Sequence, residues 1–170
     1  MTTEKKLLGN EETEPTAKFK NNVFPMDRVK KDITTVERGI ICHQANAQGV
    51  MGAGLAAQIK VKFPQAYQDY REVYNSGKMK LGQCIITEVG PDLYVASLVG
   101  QDNYGRGAKF TSYGALSVAM IRLAKFREDI GKDLPVYMPY RMGSGLGGGS
   151  WRVVKDIIEE NHPDAIICEL

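Results

Sequence analysis

Two short stretches carry the residue types best able to do chemistry. Gly49 to Leu55 and Gly143 to Gly149 are rich in glycine, and each lies between a short apolar run and a segment of helical period. Glycine lets the backbone take positive φ and lets a ligand come close to the main chain. The first turn of the helix that follows leaves N–H groups unpaired, and its dipole favours negative charge. Each stretch is therefore a candidate anion site, and two of them suit two linked phosphates. A single glycine loop reads equally well as a turn. The pair is harder to dismiss, because Gly143, Gly145, Gly147, Gly148 and Gly149 crowd into seven residues, a cost in stability that argues for a use.

Three further groups stand near these loops in the sequence. His43 ends the run Ile40-Ile41-Cys42, and a histidine, with an ordinary pKa of about 6.5, can give or take a proton at neutral pH. A partly buried histidine satisfied by the backbone is the alternative. Asp102, in the polar run Gln101-Asp102-Asn103-Tyr104-Gly105, follows a candidate strand, where open parallel sheets bind their ligands. It suits a base or a group that orients water. Arg106 next to it offers a cation to a terminal phosphate or is a solvated loop residue, and His162, beside Pro163, reads as a surface residue.

Gly52-Ala53-Gly54-Leu55-Ala56-Ala57 satisfies the loose dinucleotide pattern G-x-G-x-x-G/A, but its context does not. Nine residues separate Cys42 from Gly52, and the acidic residues about twenty positions on, Asp69 and Glu72, fall in a helical stretch rather than at a strand end. A P-loop is excluded because neither glycine loop is followed by Gly-Lys-Ser/Thr. Two isolated histidines and three dispersed cysteines give no recognisable ligand spacing, so no metal and no cofactor is expected.

Positioning these groups requires an alternation of short strands and longer helices. Strands are expected at Met26–Lys31, Gly39–His43, Gln83–Val89, Tyr94–Val99, Pro135–Pro139 and Ala165–Glu169, and helices at about Leu55–Lys62, Pro64–Asn75, Ser112–Ile130 and Ser150–Glu160. The third helix shows the clearest stripe, with Leu116, Met120, Leu123, Ala124 and Ile130 on one side and Gly131 as a C-cap. The alternation predicts an α/β fold with a mostly parallel sheet.

The chain has 170 residues, enough for one domain with a core of its own. Residues 1–22, with Leu7, Leu8 and Phe19 almost alone as apolar anchors, are expected to form a flexible tail ahead of a domain spanning 23–170. No apolar run is long enough to cross a bilayer or to serve as a signal peptide. The odd count of cysteines, Cys42, Cys84 and Cys168, fits a reduced, cytoplasmic setting. With Lys+Arg at 22 and Asp+Glu at 20, the net charge of +2 leaves no basic footprint for nucleic acid, so a small phosphorylated molecule is the expected ligand, bound by a monomer.

At this point the sequence resembles a known family. Lys31-Asp32-Ile33-Thr34, the strand leading into Gln44-Ala45-Asn46, the loop Gly49 to Ala56, and the loop Gly143 to Gly149 before Trp151 are similar to the signatures of macrodomains. The similarity covers Met26 to Leu170. It is closest to the branch that holds ADP-ribose 1″-phosphate phosphatases and terminal ADP-ribose protein glycohydrolases, which shares the Phe63-Pro64 junction and a terminal leucine. The resemblance implies a three-layer α/β/α sandwich around a mixed, mostly parallel sheet, with ADP-ribose or a derivative as ligand.

It also implies roles. Asp32 would accept a hydrogen bond from the adenine amine with Ile33 beside the ring, and Leu170 would line that pocket. Asn46 would bond the distal ribose. Main-chain groups of Gly52, Ala53, Gly54 and Leu55, and of Met142, Gly143, Ser144, Gly145, Leu146, Gly147 and Gly148, would hold the diphosphate. The glycohydrolase members use a lysine and an aspartate at positions that correspond here to about Gly100 or Gln101 and to about Gly147, and this chain has neither. The phosphatase members carry a histidine at the position of His43. The expectation is hydrolysis of ADP-ribose 1″-phosphate, with His43, Asn46 and Asp102 as catalytic candidates. The alternatives are a non-catalytic binder of ADP-ribose or related nucleotides, an O-acyl-ADP-ribose deacylase, or an ADP-ribosyl hydrolase.

Overall fold

The computed structural model describes residues 26–170, so the expected tail at 1–22 lies outside the described residues. In chain order the elements are β1 (Arg28–Lys30), a 3₁₀ turn (Ile33–Thr35), β2 (Gly39–Asn46), α1 (Gly54–Lys62), α2 (Pro64–Asn75), β3 (Cys84–Gly90), β4 (Leu93–Gln101), α3 (Tyr113–Ile130), β5 (Val136–Pro139), α4 (Trp151–Asn161) and β6 (Ile166–Glu169). The six strands form one sheet in the order β1-β6-β5-β2-β4-β3. Five are parallel and β3 runs antiparallel to β4. This is the expected mixed, mostly parallel α/β architecture, with helices on both faces.

Strand alternation assigns the two faces. Ile40 and Cys42 of β2 pack with Leu116, Met120 and Leu123 of α3 and with Val154 and Ile158 of α4. Ile41, one residue out of phase, packs with Ile59 and Phe63 below α1 and with Ala66 of α2, and Ala45 packs with Met51 and Tyr70. Covered on both faces, β2 is buried nearly throughout, with Ile40, Ile41 and Cys42 as its apolar run.

Local signals explain most boundaries. Pro64 opens α2 at a position whose N–H would be unpaired in any case. The Ser112 side chain accepts from the Ala115 amide to cap α3, and Gly131 ends that helix in the left-handed region at φ 63°. Two expectations are corrected. β2 does not stop at His43 but continues to Asn46, because Gln44, Ala45 and Asn46 keep pairing with Leu98, Val99 and Gln101 of β4. His43 is therefore a mid-strand residue. His162 is not on the surface. It is fully buried where the chain turns from α4 to β6, with Nε2 2.9 Å from the Met120 carbonyl oxygen and Nδ1 3.1 Å from a guanidinium nitrogen of Arg127. Arg127 in turn pairs with Asp164 at 2.7 Å.

β2 is also where the winding reverses. From β2 the chain passes through α1 and α2 on one face to β3 and β4. From β4 it crosses the other face through α3 to reach β5 on the opposite side of β2. The loops leaving β2 and β5 thus diverge to opposite faces from neighbouring strands, and a crevice opens between them at the carboxyl edge.

Candidate functional site

The parallel strands deliver the sequence-predicted groups to one edge in a fixed order. Asp32 follows β1, Leu170 follows β6, the 143–149 loop follows β5, the 49–55 loop follows β2, and Asp102 follows β4. Asp32 and Leu170 therefore stand toward one end of the crevice and Asp102 toward the other, with the glycine loops between them.

The first loop is held from below. Asn46 Nδ2 donates to the Val50 carbonyl at 2.8 Å, while its Oδ1 accepts from the Gln48 amide at 2.9 Å and lies 2.8 Å from the Tyr70 hydroxyl. Arg71 Nη1 donates to the Gly49 carbonyl at 2.8 Å. Gly49 sits at φ +76°, and a Cβ there would stand 2.7 Å from atoms of both Arg71 and Tyr74. Met51 is buried against Ala45 and Tyr70 and anchors the loop, while Gly52, Ala53 and Gly54 are exposed. Ala53, in the N-cap position of α1, offers no side-chain cap. The first amides of that helix remain available to an anion.

The second loop is pinned against the segment that returns from β4. The amides of Phe110 and Thr111 donate to the Gly147 carbonyl at 2.7 and 3.0 Å, and the Gly149 amide donates to the Gly143 carbonyl at 2.9 Å. The Thr111 hydroxyl donates to Gly143 O at 2.7 Å. A Cβ on Gly147 would run into Thr111 Oγ1 and would lie 2.8 Å from Gly143 O. The Ser144 and Gly148 amides are used within 141–148, whereas among the described residues those of Gly143, Gly145, Leu146 and Gly147 bond to no main-chain oxygen.

Asp32 Oδ1 accepts from the Thr34 amide at 3.0 Å and from the Thr34 hydroxyl at 2.7 Å, so it caps the 3₁₀ turn. These two bonds lower its pKa below the usual carboxylate range. Ile33 and Met142 are core residues, 5% and 4% exposed. Leu170 is 86% exposed. Asp102 is exposed, and its carbonyl accepts from the Ala47 amide at 3.1 Å and from Gln48 Nε2 at 3.1 Å.

His43 is placed differently from what a proton donor facing the crevice requires. It shares the face of Ile41, is 1% exposed, and has Nε2 2.8 Å from Ser97 Oγ on β4. Burial pushes its pKa down to about 4, so the ring is neutral at neutral pH. Nδ1 is buried and has no hydrogen-bond partner among the described residues.

Two groups escaped the reading of the sequence. Tyr70, an aromatic at helical spacing, looks like core yet bonds Asn46. Gln44, on the opposite face from His43, donates through Nε2 to Gln101 Oε1 at 2.6 Å and to Thr111 Oγ1 at 2.9 Å, and so supports the second loop. Polar residues at alternate positions of a buried strand were the available signal. Among the described residues, no group of three His, Cys, Asp or Glu side chains could hold a metal ion.

No protein-family profile matches the chain. Individual relatives do. An ADP-ribose 1″-phosphate phosphatase of Saccharomyces cerevisiae is 28% identical over 152 residues, covering 74% of this chain and 85% of the relative. An uncharacterized 17.5 kDa protein of Enterobacteria phage T4 is 30% identical over 137 residues, covering 77% and 86%. Among solved structures, a macrodomain protein from Streptomyces coelicolor superposes with a TM-score of 0.70 at 25% identity, covering 85% of this chain and 98% of that one. Thermosipho africanus DarTG in complex with ADP-ribose superposes with a TM-score of 0.69 at 16% identity over 84% of this chain and 40% of that one, a likeness of fold alone.

Proposed function

Since the chain belongs to the macrodomains of the ADP-ribose 1″-phosphate-processing type, we propose that it binds ADP-ribose along the carboxyl edge and hydrolyses the 1″-phosphate monoester. The observation that carries this reading is the pair of loops leaving β2 and β5 to opposite faces, each presenting main-chain amides with no main-chain partner among the described residues. A diphosphate between them gains two independent sets of N–H donors without a cation. The adenine then lies toward Asp32, and the distal ribose with its phosphate lies toward the end of β4.

Hydrolysis breaks the bond between phosphorus and the oxygen on C1″. Water supplies the new P–O bond, its proton goes to a base, and the leaving oxygen takes up a proton, giving ADP-ribose and inorganic phosphate. Asp102 is the exposed carboxylate at the correct end of the edge to orient or deprotonate that water. His43, neutral and hydrogen-bonded to Ser97, keeps β2 and β4 in register beneath the site. Asn46 shapes the first loop and turns its remaining Nδ2 hydrogen toward the ribose.

The test is phosphate release from ADP-ribose 1″-phosphate by the wild-type protein and by Asp102→Asn, with ADP-ribose affinity measured on both. Loss of turnover at unchanged affinity supports the assignment. Equal turnover overturns the role of Asp102. A second reading, binding of ADP-ribose without turnover, is favoured by the enclosure of His43, and absence of phosphate release by a protein that binds ADP-ribose would establish it.

A further inference from the structure

The segment that returns from β4 lies directly on the second glycine loop. A Cβ on Gly148 would strike the Ala108 carbonyl oxygen and stand 2.9 Å from the Lys109 Cα. Between Arg106–Lys109 on one wall and Gly145, Leu146 and Gly148 on the other is a cleft of about 540 Å³. Arg106 and Lys109 are both exposed, and among the described residues neither forms an ion pair with a carboxylate. Lys109 is steadied by the Tyr113 ring, with Nζ 4.1 Å from its centroid. The opposite wall contains Gly145 and Leu146, whose amides, among the described residues, bond to no main-chain oxygen.

Two cations with no carboxylate partner among the described residues, lining a cleft beside the second glycine loop, suit a dianion with several acceptor oxygens, and a guanidinium suits a phosphate in particular. The cleft lies beside the second glycine loop and is walled by the segment that leaves β4, so it falls at the distal-ribose end of the edge rather than the adenine end. We propose that Arg106 and Lys109, beside the second glycine loop, form a subsite for a terminal phosphate monoester and so determine preference for the phosphorylated nucleotide over ADP-ribose itself. This rests on the macrodomain reading above and adds a specificity determinant to it. The same subsite holds the inorganic phosphate left after hydrolysis, so free phosphate competes with the phosphorylated nucleotide and not with ADP-ribose.

The experiment measures Kd for ADP-ribose, KM for ADP-ribose 1″-phosphate, and inhibition by inorganic phosphate, in the wild type, Arg106→Ala, Arg106→Lys and Lys109→Ala. Each alanine variant is expected to raise KM for the phosphorylated nucleotide by about tenfold or more and to weaken phosphate inhibition in parallel, with the Kd of ADP-ribose unchanged within about twofold. Arg106→Lys should recover part of the loss. The unchanged ADP-ribose affinity also reports that the variants are folded. If both nucleotides weaken together, or neither does, the subsite is overturned while the parent reading stands. If the wild type binds no ADP-ribose, the parent reading and the subsite both fail.

Discussion

The hydroxyl of Tyr70 lies 2.7 Å from the carbonyl oxygen of Asn46 and 2.8 Å from its Oδ1, so one buried side chain on α2 fixes both the end of β2 and the rotamer that shapes the first glycine loop. Burial raises the pKa of this phenol to about 12, and it stays a donor at any physiological pH. Tyr70→Phe keeps the ring in the core but removes the one hydroxyl hydrogen that the two Asn46 oxygens share. We expect a loss of about 1–2 kcal/mol in urea unfolding and a weakening of ADP-ribose binding by roughly tenfold, measured calorimetrically. Loss of stability with no loss of affinity would show that the loop does not need this support.

Substitutions at two neighbouring glycines should separate backbone geometry from glycine content. A methyl group at Gly147 meets Thr111 Oγ1, Gly143 O and Gln44 Nε2, whereas one at Gly145 meets nothing within 4 Å. Gly147→Ala is expected to cost about 2 kcal/mol and to abolish measurable ADP-ribose binding. Gly145→Ala is expected to stay within about 0.5 kcal/mol of wild type. Similar unfolding midpoints for the two variants would contradict the packing of this loop.

His43 links the fold to pH. Its pKa in the fold, about 4, lies below that of an exposed imidazole, because burial opposes the charged form. The unfolded chain therefore binds the extra proton first. Stability is full above about pH 6.5 and falls as pH drops toward 4, by about 3 kcal/mol in the limit for this one group. Burial lowers the pKa of His162 as well, and it acts in the same direction, so the contribution of His43 is read from the difference between wild type and His43→Gln. The variant should show a flatter dependence of unfolding free energy on pH between 6.5 and 4. Because the ring is neutral and closed in, kcat/KM should show no limb between pH 6 and 7 that disappears in His43→Gln. Such a limb would restore His43 as a proton donor.

Asp32 is held by Thr34 through a single oxygen, Oδ1. Asp32→Ala should weaken ADP-ribose by more than about tenfold and should weaken an analogue with hypoxanthine in place of adenine much less, since that base has no exocyclic amine to donate. Equal losses for both bases would assign Asp32 to capping the turn at Ile33–Thr35 alone.

Much of the fold was legible because local signals agreed with tertiary need. The stripe on α3, its Ser112 cap and Gly131 stop, and Pro64 at the start of α2 each say in the sequence what they do in the structure. The order of groups along the edge was not legible, because strand order depends on which face each crossover takes and no single segment encodes that. His43 misled for a related reason. Its place after an apolar run marks a strand end only if the next residues leave the sheet, and Gln44 and Asn46 stay in it by bonding Gln101, Thr111, Val50 and Tyr70. His162 misled because proximity to proline says nothing about a carbonyl supplied by a helix forty-two positions earlier.

The reversal at β2 has a mechanical meaning. The loop after β2 is anchored in the layer of α1 and α2 through Met51, Tyr70 and Arg71, and the loop after β5 leads into the layer of α3 and α4. These layers lie on opposite faces of the sheet. A molecule gripped by both loops ties one layer to the other, and it should raise the cost of opening either of them by the same free energy with which it binds.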